Sequence, residues 1–462
     1  MKIAFFVHCF FPDHFYGTET YTFDLARHYQ AWGHDVTVVS AIFHGEARAG
    51  ELVTRYDYGG IPVVAIDKNY LPHRRVKETY YQADMCGVLE RVLGEIRPDL
   101  VHVTHLINHT AALLEACGNL DIPTHATFTD FFGFCLNNKL EGADGELCAG
   151  PSRSRANCIA CYLKDAARDP AAAPWIRLAR TPLAARAIGQ TVDLLRKAPG
   201  MRGAAVDGLI EDITRRPDVL AALYNRTYRS AIAPTRFLEG AYRANGITVP
   251  MHNVWFGVDI DRSAKPARPP GHVPVIGFIG QIAPHKGTDL LIEAFCRLDG
   301  NAAELRIYGP KDQDPGYMRR LESLAHGRRI RFLGTFAQAD MARILREIDL
   351  LVIPSRWYEN SPLVLLNALA THTPVLVSDV AGMTEFLTAG VNGDSFERGS
   401  LDDLHRKLGG LLDSPGRLAS LAVGTDFDRG TLAMATETFN TYHPGTGTAS
   451  ERVAAAPDAA CM

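Results

Sequence analysis

The chain has 462 residues, 47% hydrophobic and 22% charged, with 48 Lys and Arg against 52 Asp and Glu and a formal net charge of −4. That length asks for two cores rather than one, and the charge balance argues against a nucleic-acid partner. No apolar run reaches the roughly 18 residues of a membrane-spanning helix, so the sequence predicts a cytoplasmic protein whose nine cysteines are reduced.

The opening MKIAFFVHCFFPDH has a short apolar stretch and no small-residue cleavage site after it, which reads as a first strand rather than a signal peptide. KIAFFVHCF is continuously apolar, as a strand buried on both faces must be. A loop with Pro12, Asp13 and Gly17 leads into a helix, TETYTFDLARHYQAWG, with Gly33 as its stop. HDVTVVSAI, IPVVAID, DLVHVTHL and PTHATFT follow as strands, with the helix YYQADMCGVLERVLGEI among them. This alternation predicts a doubly wound α/β domain over residues 1–265. Two stretches interrupt it. Residues 131–163 are rich in cysteine and glycine and show no strand pattern, and residues 164–230 read as helical, with twelve Lys or Arg against seven Asp or Glu.

ARPPGHVP, near 267–274, reads as a linker. A second alternating series then fills a domain over 266–430. Its strands are VPVIGFIG, AELRIYG, RIRFLG, DLLVIPS and PVLVSD, and its helices TDLLIEAFCRL, YMRRLESLAH, ADMARILREI and SPLVLLNALA. Residues 431–462 form a C-terminal segment with a disordered tail from about 445. Two such domains in tandem place a cleft between them, and ligands of these sheets sit outside the carboxyl ends of the strands.

The strongest local signal is PSRWYENSPLVLLNALA, where an apolar strand runs into a polar loop and a helix begins near Ser361-Pro362. Glu359 stands just before that helix, whose free N–H groups around Asn360 to Val364 can hold an anion such as a diphosphate. VIGFIGQIAPHKG ends a strand at Gly280-Gln281 and brings Lys286-Gly287 before the next helix, a placement suited to phosphate charge. LRIYGP ends another strand at Gly309, and Ala381-Gly382 with Glu385 follows PVLVSD. Four strand ends of one sheet thus carry Gly, Lys or Glu at their turns.

The ordered series FIGQIAPHKG, LRIYGP, RFLGTF, IDLLVIPSRWYENSPLVLLNALA, TPVLVSDVAGMTEF and GVNGDSF resembles family-4 retaining glycosyltransferases, and FPDHFYGTETYTFDLARHYQAWGHDVTVVS resembles that family's glycine loop and first helix. The resemblance implies the GT-B fold, with two Rossmann-like domains. It also implies roles: Lys286 on the diphosphate of a nucleoside-diphosphate sugar, and Glu359 on hydroxyls of the donor sugar. The amides of Asn360, Ser361, Leu363 and Val364 would hold phosphate and sugar oxygens, Asn367 would meet the ribose, and Gly309 and Phe336 would lie near the base. Gly17 and Thr18 would approach the phosphates from the other domain. No catalytic metal is expected if Lys286 and a helix terminus supply the positive potential. Three positions depart from the family. Asn367 stands where a second glutamate is usual, Gln281 where an arginine is common, and Thr129 where relatives often carry a histidine before Asp130.

Cys135, Cys148, Cys158 and Cys161 fall within twenty-seven residues, the last two as C-x-x-C, which suggests a tetrahedral structural zinc site ahead of an iron–sulfur cluster. A subset of the resembled family has a similar insertion with the element seen here as DGELCAGP. The other cysteines, Cys9 among them, read as core or surface residues. His102 and His105 end the strand DLVHVTHL and read as packing or as acceptor contacts, and Asp130 is placed to orient an acceptor hydroxyl. The stretch PWIRLARTPLAARAIGQTVDLLRKAPGMRG reads as a solvated helical face, or as a peripheral contact with an anionic membrane. Taken together, the residues point to transfer of a sugar from a nucleoside-diphosphate sugar to a hydroxyl of a glycan or lipid-linked glycan, with Glu359, Lys286 and Asp130 carrying the chemistry. An epimerase on the same architecture and an inactive binding protein are the rivals.

Overall fold

The computed structural model describes residues 1–169, 174–196, 204–298 and 303–442. The chain divides into two compact units, one of Met1–Trp255 with the chain from Leu432 onward, the other Phe256–Thr431. The tail from about 445 lies outside the described residues, as do parts of the helical stretch.

The first unit holds an eight-stranded sheet of β1 (Lys2–Phe6), β2 (Asp35–Ile42), β3 (Val53–Tyr58), β4 (Ile61–Asp67), β5 (Leu100–Val103), β6 (Thr124–Thr127), β7 (Tyr228–Ala233) and β8 (Met251–Asn253), in the order β3-β4-β2-β1-β5-β6-β7-β8. Every pairing is parallel except β3 with β4. Phe6 is in register with Val39 on one side and Val103 on the other. The four residues Ile3–Phe6 are fully buried, which explains the unbroken apolar run. The helix Gly17–Ala31 ends on Trp32, and Gly33 follows in the left-handed region at φ +83°.

The second unit is an all-parallel sheet of β9 (Val275–Ile279), β10 (Glu304–Tyr308), β11 (Ile330–Gly334), β12 (Leu350–Ile353), β13 (Val375–Ser378) and β14 (Gly393–Phe396), in the order β11-β10-β9-β12-β13-β14. Its core joins Ile276 and Phe278 of β9 to Leu291, Leu305, Leu350 and Leu376. In each sheet the strand order reverses beside the first strand, between β1 and β5 and between β9 and β12. Those reversals open a crevice at the carboxyl ends, where α/β sheets bind ligands.

Two expectations need correction. The boundary falls at 255/256, ten residues before the expected one. Residues 256–262 belong to the second unit because Val258 N–H donates to Arg429 O, and Arg262 donates to the carbonyls of Phe427 and Val258. Residues 432–442 return to the first unit because Tyr442 packs on His102 and His125 and meets Tyr29. Secondly, the cysteine-rich stretch is not all loop. Glu141 bridges Leu147 in a short hairpin, and a helix begins at Ala156, so Cys158 and Cys161 sit one helical turn apart. The sequence ANCIACYLKDA carries apolar residues at helical spacing, which that composition had masked.

Candidate functional site

At the β9/β12 reversal, Lys286 Nζ donates to Glu359 Oε1 at 2.6 Å. The same oxygen accepts from Ser355 Oγ at 2.5 Å and Trp357 Nε1 at 2.9 Å. Among the described residues all three donors converge on Oε1, which leaves Oε2 unengaged. Glu359 is buried, with a side chain only 10% exposed, and Lys286 Nζ also lies 4.9 Å over the Trp357 ring.

The loops carrying them are stapled together. Arg356 forms a two-pronged pair with Asp289, at 2.7 and 3.2 Å, and also donates to Pro284 O. Burial opposes charge on Asp289, but the Arg356 guanidinium outweighs it and holds the carboxyl below its usual range. The His285 ring packs against that of Trp357, tilted by 43° with centroids 3.8 Å apart. Ser355, Arg356, Trp357 and Asp289 were not picked out from the sequence, although three of them flank Glu359 in the motif.

Two glycines fix how closely these turns approach. A Cβ on Gly382 would stand 1.5 Å from Glu359 O, and one on Gly287 would stand 2.0 Å from Pro354 O. Both have left-handed φ, +90° and +71°. The turns after β9, β12 and β13 therefore meet backbone to backbone around Glu359.

The helix expected from Ser361-Pro362 runs over Leu363–Ala370, with Pro362 as its cap, so the helical amides begin at Leu363 and Val364. Ser361 is 1% exposed, has φ +51°, and its Oγ finds no partner among the described residues. A non-glycine residue in that region is strained by about 1–2 kcal/mol, and an orphaned buried hydroxyl adds a desolvation cost. Such features concentrate at binding sites. Asn367 is buried on the second turn of this helix. Gly280 and Gln281 follow β9, half-buried, and Gly309 packs against the Gly280 carbonyl. Phe336 follows β11 and meets Tyr308 edge-on at 5.5 Å.

A second polar group sits at the β1/β5 reversal. Glu19, on the first turn of the helix that Gly17 and Thr18 open, is 1% exposed. Its Oε1 accepts from Cys9 Sγ at 2.8 Å and stands 3.2 Å from His8 Nε2. The His8 ring lies 4.5 Å from that of His105. Burial, then the neighbouring histidines, push the His8 pKa well down. His105 Nδ1 accepts from Ile107 N–H, so its proton belongs on Nε2, which points at Asp130 Oδ2 2.9 Å away. Asp130 is held in turn by Phe132 N–H on Oδ1 and by Tyr242 O–H on its carbonyl. The structure thus brings His105 and Asp130 together and adds His8, Cys9 and Glu19. Cys9 is a core residue, as expected, whose thiol is also a member of this group. His102 is packing: its nitrogens meet Tyr442 and Thr127. Thr129 turns its hydroxyl to Thr104 O.

The four clustered cysteines lie on the turn after β6 (Cys135), at the hairpin end (Cys148) and on the helix Ala156–Ala166 (Cys158 and Cys161). No three of their sulfurs lie within 4.8 Å of one another; among the described residues only His8, Cys9 and Glu19 bring ligand atoms that close. No helix among the described residues is long and apolar enough to cross a membrane.

Residues 273–414 match the family described as Glycosyl transferases group 1, and residues 15–139 match Glycosyltransferase Family 4. A D-inositol 3-phosphate glycosyltransferase of Mycobacterium marinum is 31% identical over 147 residues, 30% of each chain. One from Catenulispora acidiphila is 29% identical over 240 residues, 48% of this chain and 52% of that protein. The chain thus spans about a third to a half of the length of the curated relatives it matches. Among solved structures, Anabaena HepE in complex with UDP-glucose superposes with TM-score 0.61 at 15% identity, covering 96% of this chain and 99% of that one. Sucrose-phosphate synthase from Thermosynechococcus elongatus gives 0.64 at 15% identity, covering 99% and 100%. The chain has the GT-B fold, and it carries a family-4 glycosyltransferase domain followed by a group 1 glycosyl transferase domain.

Proposed function

We propose that this protein is a retaining glycosyltransferase that moves a sugar from a nucleoside-diphosphate sugar to a hydroxyl of a glycan or lipid-linked glycan, as in the synthesis of cell-surface polysaccharide. The observation that carries the reading is the Lys286–Glu359 pair at the β9/β12 reversal, beside the strained Ser361 and the amides that open the helix Leu363–Ala370. Lys286 and those amides supply positive potential for the diphosphate, whose charge grows as the glycosyl bond breaks. Glu359 Oε2 faces no protein donor among the described residues and accepts from a sugar hydroxyl. The leaving phosphate takes the acceptor proton as the new bond forms on the same face. Asp130 and His105 orient the acceptor, and contact with an anionic membrane through the basic helical stretch would present a lipid-linked one. HepE was solved with UDP-glucose, so uridine diphosphate sugars are the first donors to try.

Incubation with a panel of nucleoside-diphosphate sugars, following release of free nucleoside diphosphate, tests the reading. The wild type releases it and Glu359→Ala does not. Equal inertness of both proteins over the panel would overturn the enzyme reading in favour of a binding protein. Conversion of the donor to an epimerised nucleotide sugar, without acceptor and without net release of nucleoside diphosphate, would favour the epimerase.

A further inference from the structure

Arg216 is a buried cation on the helix that packs over the cysteine-rich stretch. It is 2% exposed, and among the described residues it forms no ion pair. Its NH2 donates to Phe132 O at 2.8 Å and Asn138 Oδ1 at 3.3 Å, its guanidinium lies 4.6 Å over the Phe132 ring, and its Nε has no partner. An uncompensated buried charge costs several kcal/mol. Burial disfavours its charged form, and the neighbouring Cys135 thiol, Tyr224 hydroxyl and Asp130 carboxylate only partly offset that.

Cys135 is one of four thiols that feel one another. Cys161 interacts electrostatically with Cys135, Cys158 and Cys148, and Cys158 with Cys135 and Cys148. Arg155, which also pairs with Asp218 at 2.8 Å, is a second cation beside Cys158. The supports are already in place. Asn137 joins Cys135 Sγ to the carbonyl of Glu141, towards which Cys161 Sγ also points. Gly150 N–H and Asn157 Nδ2 both approach Cys148 Sγ, at 3.4 and 3.5 Å. An amide aimed at sulfur is an arrangement suited to a thiolate. As four neutral thiols this cluster gives Arg216 no counter-charge. As four thiolates on a divalent ion it carries a net charge of −2, which Arg216 offsets together with Arg155, the latter shared with Asp218.

We infer that Cys135, Cys148, Cys158 and Cys161 bind one zinc ion, with Arg216 and Arg155 as its outer counter-charges. A tetrahedral zinc with bonds of about 2.3 Å sets its sulfurs about 3.8 Å apart. Binding therefore draws the hairpin end and the helix inward, and the thiols leave Asn137 Oδ1 and Glu141 O for the metal as their protons go to solvent. The consequence reaches Asp130. Cys135 N–H donates to Phe131 O and Arg216 to Phe132 O, so the metal fixes the turn that carries that carboxylate.

Metal analysis of the full chain, expressed with zinc in the medium and purified without chelator, is expected to give one zinc per chain. Cys158→Ser/Cys161→Ser should lower this below a tenth, and Cys9→Ser should leave it unchanged. If the double variant does not fold, titrating the wild type with an organomercurial, with a chromogenic chelator present, still decides. It should release one zinc as the clustered thiols react. Zinc below a tenth per wild-type chain, iron with acid-labile sulfide in its place, or loss of the metal in Cys9→Ser alone would each overturn the assignment.

Discussion

Lys286 Nζ and Glu359 Oε1, 73 positions apart in the chain, stand 2.6 Å from each other at the point where the strand order of the second sheet reverses. Each is the other's counter-ion, and a bound diphosphate would compete with Glu359 for the lysine. That competition makes the two residues separable by mutation.

Lys286→Met keeps the length of the stem and removes the charge. The expected outcome is a fall in kcat/KM of roughly 100- to 1,000-fold, the usual effect of removing one donor from a developing negative charge. Nucleoside diphosphate should bind more weakly in isothermal titration, because the diphosphate is the moiety touched. Unchanged binding would place the diphosphate elsewhere.

Glu359→Gln retains an oxygen for Ser355 and Trp357 but gives up the charge that holds Lys286. Lys286 is then free for phosphate, so binding of the bare nucleoside diphosphate should hold or tighten while transfer falls by roughly 100-fold or more. Parallel loss of both would mean that Glu359 serves only to build the loop.

Gly382 and Glu359 test the loop itself. With φ +90° and a Cβ 1.5 Å from Glu359 O, Gly382→Ala must push the 359 turn away. Left-handed strain and overpacking together cost about 3 kcal/mol. That is roughly 6–12 °C in the melting of the 256–431 unit. Calorimetry should show this drop in one transition, with nucleotide binding lost even at temperatures where the unit stays folded.

Much of this was legible because burial writes itself into sequence. Lys2–Phe6 and Leu350–Ile353 are interior strands covered on both faces, so their apolar runs stand out. The antiparallel edge strand Val53–Tyr58, reading VTRYDY with alternating exposure, and the three-residue strand Met251–Asn253 carry no such run and escaped notice. Lys286 and Glu359 could be named as residues because each lies on the loop that leads from an apolar strand into the next helix. That they form a pair depends on β9 and β12 being neighbours, which only the strand order supplies. The link from Glu19 to His8 is likewise a product of the fold, since a single glutamate on the first turn of a helix reads equally well as a dipole partner. The domain boundary was misplaced because Pro269-Pro270 look like a linker, whereas the hydrogen bonds that tie 256–262 to 427–429 leave no local mark.

Acid should loosen the first unit. Burial pushes His102 down to about 3 and His109 down to about 4. Both are therefore neutral in the folded chain, while in the unfolded chain they titrate near 6.5. A depressed folded pKa makes the unfolded state bind more protons below pH 6.5, so stability is full above that value and is lost as pH falls towards 4 and 3. At pH 5 each histidine costs about 2 kcal/mol relative to pH 7.5. Urea melts of the full chain should show the first unit losing midpoint between those pH values. His102→Gln should flatten the dependence, and an equally steep slope in that variant would shift the effect to other groups.

Asp130 and His105 give the sharpest test of where the acceptor binds. The Nε2 proton of His105 is aimed at Asp130 Oδ2, while Oδ1 takes Phe132 N–H. Asp130→Asn can keep the Phe132 N–H bond on its single oxygen, so the turn survives while the charge and the acceptor facing His105 are removed. A carboxylate that orients or accepts from the incoming hydroxyl contributes through that charge, typically by roughly 100-fold or more. The expected result is therefore a loss confined to acceptor-dependent turnover, with nucleoside diphosphate affinity within about twofold of wild type and the slow hydrolysis of donor by water unaffected. Steady-state rates measured against both substrates separate these quantities. If donor hydrolysis falls as steeply as transfer, Asp130 acts on the donor instead, and the acceptor must be sought away from the β1/β5 reversal.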